Sequence, residues 1–186
     1  EIPYLLKLGV EKGKIEYIPN GINDGYLSEV KKKKDFKIVY TGRIAPIKNI
    51  EVVIRAIKLI KNKNIKFEIY GPAEKGYLEK LNSLINELKI SKRLKFLMKT
   101  YNRKEHIKKL DENLFFILPS RSEGMPQSLI EAMARECIVI GSDNHGNKDL
   151  IEDGKNGFLF MNDDEFDLAS TLDEVFDMSI DDLKAI

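Results

Sequence analysis

The chain has 186 residues, and its 31 basic and 30 acidic residues leave a net charge of only +1. That length supports one domain with a sizeable core, and the even charge balance excludes a global electrostatic drive toward nucleic acid or anionic lipid. No apolar run approaches the ~20 residues of a membrane-spanning helix. The single cysteine, Cys137, excludes an internal disulfide framework and suits a reducing compartment. The opening residues Glu1-Ile2-Pro3-Tyr4 make neither a signal peptide nor a natural start, so the sequence is expected to be a piece of a longer chain.

In chain order, the lysine run Lys31-Lys32-Lys33-Lys34 is expected to be a solvated loop before the first strand in preference to a lipid-binding patch. Ile38-Val39-Tyr40-Thr41 is a β-rich run that stops at Gly42. Ile50, Val53, Ile54, Ile57 and Ile60 then recur at helical spacing, with Asn49 placed to cap. A second strand, Phe67-Glu68-Ile69-Tyr70, ends at Gly71-Pro72. Leu78, Leu81, Leu84, Ile85 and Leu88 mark the next amphipathic helix. A strand at residues 95–97 and a helix over residues 103–113 follow. Leu114-Phe115-Phe116-Ile117-Leu118 is continuously apolar, as a strand buried on both faces should be. Leu129, Ile130, Met133 and Ala134 line another helix, Ile138-Val139-Ile140 and Phe158-Leu159-Phe160 are further strands, and a helix over residues 166–178 closes the order. This alternation predicts an α/β fold, a doubly wound and mostly parallel Rossmann-like sheet with helices on both faces. In such sheets ligands bind beyond the carboxyl ends of the strands.

Two loops at those ends carry candidate chemistry. After the first strand, Thr41-Gly42-Arg43-Ile44-Ala45-Pro46-Ile47-Lys48-Asn49 places two cations where both could reach one anion, beside the positive end of the next helix. A surface loop with two solvated cations fits the same spacing. No G-x-G-x-x-G dinucleotide fingerprint is present. After the apolar strand, Glu123 precedes Gly124, where a backbone could approach a ligand, and Pro126 suits the first turn of the following helix. Free N–H groups near Gln127, Ser128 and Leu129 would face a phosphate, and Glu131, one turn further, is placed to accept from vicinal hydroxyls. The plain alternatives are a helix-capping acid for Glu123 and a solvated residue for Glu131. The pair fits a retaining hydrolase poorly, since such carboxyls sit roughly 5–5.5 Å apart, while eight helical positions span up to about 12 Å.

Taken together these segments resemble the C-terminal domain of the group 1 (family 4) glycosyltransferases, the donor-binding half of the GT-B fold. The match runs from the segment Lys14 to Asn23, with its Pro19-Asn20-Gly21, through Gly42-Arg43, Lys48 and the E-x7-E element of Glu123 and Glu131, to the stretch from Leu150 to Phe158. The resemblance implies a retaining hexosyltransferase that takes a UDP- or GDP-sugar, works through an oxocarbenium-like transition state and needs no metal. It implies that Arg43 and Lys48 bind and stabilise the departing diphosphate, and that Glu123, with the backbone of Gly124, Met125 and Pro126, holds the sugar. Ser128 and Leu129 would offer main-chain contacts near the phosphate and Glu131 would hold the ribose. Gly42 and Gly71 would allow close approach, and Thr100 would lie near the base. Residues 1–23 would be the tail of an inter-domain connection and residues 24–186 the nucleotide-sugar-binding domain. The acceptor, a sugar or lipid-linked glycan of cell-surface polysaccharide or glycolipid synthesis, would be met by an N-terminal domain. The protein would be cytoplasmic, with the full-length form peripherally at the membrane, and would bind no nucleic acid.

Several positions depart from the family pattern. Asn49 stands where glycine is common and tolerates a left-handed conformation. Glu136 and Ile138 replace a common Gly and Pro, which puts Glu136 in an unfavourable conformation. His145 and Lys148 replace a Gly and a Pro, and His145 is expected to be incidental. Asp163-Asp164 and Asp181-Asp182 are expected to be helix caps. Two other classes explain this residue set less economically: a non-catalytic nucleotide-sugar-sensing module, and a GT-B sugar-nucleotide epimerase or hydrolase.

Overall fold

A computed structural model describes residues 2–30 and 35–186, so the lysine run at 31–34 lies outside the described residues. Six strands, β1 (Asp35–Thr41), β2 (Phe67–Tyr70), β3 (Leu94–Leu97), β4 (Asn113–Leu118), β5 (Ile138–Ser142) and β6 (Phe158–Phe160), form one sheet in the order β3-β2-β1-β4-β5-β6. Every pairing is parallel. The central strands β1 and β4 bury Ile38, Val39, Tyr40, Phe115, Phe116, Ile117 and Leu118. Runs of this kind have no polar face because helices cover both sides. Edge strand β3 alternates Lys95 with half-buried Leu94 and Phe96, as an edge should.

The crossovers from β1 to β2 and from β2 to β3 use α2 (Ile50–Leu59) and α3 (Tyr77–Leu88). Those from β3 to β4 and from β4 to β5 use α4 (Arg103–Glu112) and α5 (Gln127–Ala134), and α7 (Glu165–Asp177) follows β6. Right-handed crossovers that wind outward in opposite directions put α2 and α3 on one face and α5 on the other. α7 joins the α2 layer and packs against it. The sheet order reverses between β1 and β4, so the crevice lies between the loop after Thr41 and the loop after Leu118. Three short helices complete the described residues: α1 (Ile2–Lys7) and α6 (His145–Lys148), which were not expected, and α8 (Ile180–Lys184), implied only by the expected cap at Asp181-Asp182. Each is too short to print a 3.6-residue pattern.

The capping expectations need correction. Asn49 is left-handed (φ 51°), as its tolerance predicted, but its side chain makes no cap bond. Its Nδ2 donates instead to Asp163 Oδ1 at 3.0 Å. Asp164 does cap α7, accepting from the N–H of Phe166 and Asp167. Asp163 does not. It is itself left-handed (φ 61°) and also accepts from Arg121 Nε at 2.8 Å. For α8 the cap is Ser179, and Asp181 and Asp182 lie within the first turn. Pro126 is the residue just before α5, not its first helical one. Glu136 does sit at φ 53°, the conformation for which glycine is usual.

Candidate functional site

The loop after β1 is held by backbone pairing that continues past the strands. Gly42 N–H donates to Tyr70, Ile44 N–H to Pro72 at 2.8 Å, and Glu74 N–H back to Ile44 at 2.9 Å. The buried Tyr40 hydroxyl donates to the Arg43 carbonyl at 2.8 Å. These bonds fix where Arg43 leaves the sheet, and its guanidinium meets Glu74 at 3.0 Å on the surface. Gly71 is a close-approach residue, but what approaches is Gly42: a Cβ there would lie 1.8 Å from the Gly42 carbonyl oxygen. Thr100 is exposed in the loop after β3.

Lys48 ends a 3₁₀ turn (Pro46–Lys48), and the left-handed Asn49 turns the chain from there into α2. Its Nζ lies 2.6 Å from Glu123 Oε1, and both side chains are largely buried, 21% and 12% exposed. Glu123 is thus a partner of Lys48 and not a cap of α5. Arg121 ties three loops around this pair. Its N–H donates to Ile47, its guanidinium reaches Asp163 and the Pro46 carbonyl, and its own carbonyl accepts from Asn162. Gly146, in α6, fits against the same loop, since a Cβ there would meet the Gly124 and Glu123 carbonyls at 2.6 and 2.7 Å. Gly124 itself is exposed, with nothing within 4 Å of an added Cβ among the described residues. No neighbouring group therefore explains its small size.

Arg43 and Lys48 are each neutralised by a different carboxylate, so convergence on one anion means releasing both. The exposed Arg43–Glu74 pair is worth at most about 1 kcal/mol and yields readily. At the start of α5, Gln127 and Ser128 occupy the first two helical positions, whose N–H groups have no intrahelical acceptor. The Leu129 N–H already donates to the Pro126 carbonyl at 3.1 Å. The segment Pro19-Asn20-Gly21 lies against this loop: Asn20 Nδ2 donates to the Met125 carbonyl at 3.1 Å, and Gln127 Nε2 to Gly21 at 3.2 Å.

Glu131 belongs to a separate cluster. Its side chain is 17% exposed, and Oε2 lies 3.5 Å from Nδ1 of His106. Burial raises its pKa, partly offset by hydrogen bonds from Tyr26 and Gln127 and by Arg103 nearby. Tyr26 hydroxyl is 2.7 Å from His106 Nδ1, His106 Nε2 is 2.8 Å from Thr41 Oγ1, and Tyr101 stacks on the imidazole. Sequence reasoning found Glu131 but missed Tyr26, Tyr101, His106 and Arg121. No local signal marks them, because Tyr26 and His106 are 80 positions apart. His145, expected to be incidental, is exposed at the start of α6. Among the described residues no group of three or more His, Cys, Asp or Glu could hold a metal ion, and no helix is long and apolar enough to cross a membrane.

Comparison with known families places residues 27–185 in a match to "Glycosyl transferases group 1". The chain belongs to the group 1 glycosyltransferases. A similar curated relative is the capsular polysaccharide biosynthesis glycosyltransferase CapH of Staphylococcus aureus, 30% identical over 148 residues, covering 78% of this chain and 40% of CapH. Among solved structures, a glycosyltransferase from Rickettsia africae superposes with TM-score 0.88 at 20% identity, over 100% of this chain and 53% of that one, which bears on the fold alone. S. aureus TarM, crystallised with UDP, α-GlcNAc-glycerol and Fondaparinux, reaches TM-score 0.83 at 25% identity, over 99% of this chain and 36% of its own. This group 1 chain spans less than half the length of its curated relatives, for example 40% of CapH and 27% of the poly(ribitol-phosphate) α-N-acetylglucosaminyltransferase of S. aureus.

Proposed function

We propose that this group 1 glycosyltransferase chain binds a nucleoside-diphosphate sugar across the crevice between β1 and β4, for retaining transfer to an acceptor in cell-surface polysaccharide or glycolipid synthesis. The observation that carries the reading is the division of the E-x7-E element, with Glu123 on Lys48 and Glu131 on Tyr26 and His106. One long ligand would meet both: diphosphate and sugar at Lys48 and Glu123, ribose at Glu131. UDP and α-GlcNAc-glycerol bound in the TarM complex, and the capsular polysaccharide biosynthesis in CapH's name, support the same class.

In this reading Lys48 exchanges the Glu123 carboxylate for the diphosphate, and Glu123 is released to accept from sugar hydroxyls. Arg43 adds a planar fork to the phosphate, and the Gln127 and Ser128 N–H groups add the helix end. These donors stabilise the charge that grows on the leaving diphosphate, and an oxocarbenium-like centre then meets the acceptor on the same face. The Met125 and Pro126 backbone would line the sugar, and Thr100 the base. Acceptor recognition is assigned to an N-terminal domain, the site of reaction to the cytoplasm with the full-length protein peripherally at the membrane, and no divalent cation is needed.

Calorimetry in EDTA tests the diphosphate assignment. Arg43→Ala and Lys48→Ala should each weaken UDP or GDP by at least ~1.5 kcal/mol, the scale of a charge-assisted bond, with uridine or guanosine little affected. Equal losses for nucleoside and nucleotide would point to misfolding instead. The two glutamates should separate. Glu131→Gln should weaken free nucleotide and sugar nucleotide alike, by about 1.5–3 kcal/mol. Glu123→Gln should penalise only the sugar nucleotide and leave UDP or GDP unchanged or tighter, because Lys48 loses its competing carboxylate. If both substitutions weakened free nucleotide equally, the two-ended assignment would be wrong.

A further inference from the structure

His106 has no assigned part in the reading above, yet it is 6% exposed and contacts polar groups with both ring nitrogens. Burial pushes its pKa down to about 4, so the ring is neutral near pH 7 and carries one N–H and one lone pair. The groups facing it are Tyr26 from the segment before β1, Thr41 at the end of β1, Tyr101 before α4 and Glu131 from α5. Arg103 adds positive charge near Tyr26 and Glu131.

The geometry decides where the single ring proton sits. Nδ1 faces the Tyr26 oxygen at 2.7 Å and Glu131 Oε2 at 3.5 Å. A lone pair at Nδ1 would point at a carboxylate, so the proton belongs on Nδ1. Nε2 is then bare and accepts from the Thr41 hydroxyl at 2.8 Å. Tyr101 keeps its proton, because burial raises its pKa, and Thr41 is its hydrogen-bonding neighbour as well. The Tyr26 oxygen accepts from Nδ1–H, which leaves its one proton for Glu131; burial, and then the charge and hydrogen bond of Glu131, hold the Tyr26 pKa well above the usual phenol value. Each donor therefore points the same way: Thr41 to His106, His106 to Tyr26, Tyr26 to Glu131. With Gln127 donating as well, Glu131 keeps lone pairs for external donors and offers no proton of its own.

We infer that His106 is a positioning residue, acting through Tyr26 to hold Glu131 as an acceptor-only carboxylate for the vicinal hydroxyls of the nucleotide ribose. The inference rests on the ribose assignment of Glu131 made above. Its consequence is selectivity: the chain of donors rewards a ligand with two adjacent hydroxyls and does nothing for one that lacks them.

Two experiments test it. The chain has only two histidines, so long-range ¹H–¹⁵N NMR of the ligand-free chain reads the His106 tautomer directly. An Nδ1–H ring that titrates only near pH 4 is expected, and an Nε2–H ring overturns the inference whatever the ligand. Affinities for UDP and GDP are then compared with those for their 2′,3′-dideoxy counterparts. Tyr26→Phe and His106→Gln should cut the preference for the diol at least fivefold while leaving dideoxynucleotide affinity unchanged. His106→Asn, whose amide donates from near the Nδ1 position, should keep most of it. Equal loss for both ligands together with lowered thermal stability would mean that His106 is only scaffolding, and would overturn the proposal. A preference unmoved by Glu131→Gln would remove the ribose assignment itself. A preference lost in Glu131→Gln but kept in Tyr26→Phe would remove the positioning role alone.

Discussion

Replacing Arg135 by alanine is expected to destabilise the domain by about 3–5 kcal/mol, the cost of breaking a buried ion pair from one side. Arg135 is the residue that caps the C-terminus of α5, just after Ala134, and is 1% exposed. Its Nε and one terminal nitrogen grip the two oxygens of Asp111, at the end of α4, at 2.8 and 2.9 Å. The remaining donors reach the carbonyls of Tyr26, Ser28 and Glu29 at 3.1, 2.7 and 3.2 Å. The substitution would take the guanidinium from Asp111 and leave three carbonyls without that donor. Against a typical total of about 5–15 kcal/mol this is a large fraction. Urea unfolding of the variant should show a sharply lower midpoint with a similar slope. Arg135→Lys should recover little, because an ammonium cannot fork to a carboxylate and reach three carbonyls as well. A loss under about 1 kcal/mol would mean that the network is not structural. The consequence extends to the candidate site, since these carbonyls belong to the segment that brings Tyr26 to His106.

Gly71→Ala should be comparably severe, for a steric reason. The residue has φ 144°, and an added Cβ would sit 1.8 Å from the Gly42 oxygen and 2.7 Å from its carbonyl carbon. Both neighbours are backbone, so no side chain can swing away. Strain of about 1–3 kcal/mol for the disallowed conformation adds to about 1–3 kcal/mol of overpacking. Whatever yields must move Gly42, and Arg43 follows it in the chain. Thermal melts should show a stability loss of roughly 2–6 kcal/mol, with weakened nucleoside-diphosphate binding in whatever fraction stays folded. Gly124→Ala is the control: with nothing among the described residues within 4 Å of its Cβ, it should change stability by no more than ~0.5 kcal/mol. A mild Gly71→Ala would show that the two loops can separate at little cost.

Much of the fold was legible because each buried strand announces itself locally. Leu114-Phe115-Phe116-Ile117-Leu118 admits no solvent face, and β4 runs from Asn113–Leu118. The helix expected over residues 103–113 ends at Glu112, and Asn113 opens the strand instead. Arg135 shows the opposite case. On sequence it is an ordinary basic residue at a helix end, where solvent exposure is the default. It is buried and paired with Asp111, 24 positions earlier at the end of α4, a juxtaposition that exists only once the chain has folded.

The candidate site divides the same way. Arg43, Lys48, Glu123 and Glu131 were identifiable because they follow β1 and β4, and a parallel sheet with right-handed crossovers must gather those ends at one edge. Chain order and handedness alone decide that much. Which carboxylate neutralises which cation was not decidable: Lys48 and Glu123 are 75 positions apart, and Arg43 and Glu74 are 31. Nor could the pattern show that Gly71 clears the Gly42 backbone, or that a buried histidine stands behind Glu131. Local sequence encodes strand and helix through periodicities of two and 3.6 residues, so it places residues along the chain. Ion pairing, burial and proton position depend on distances between segments, and those are set only when the sheet order brings β1 beside β4.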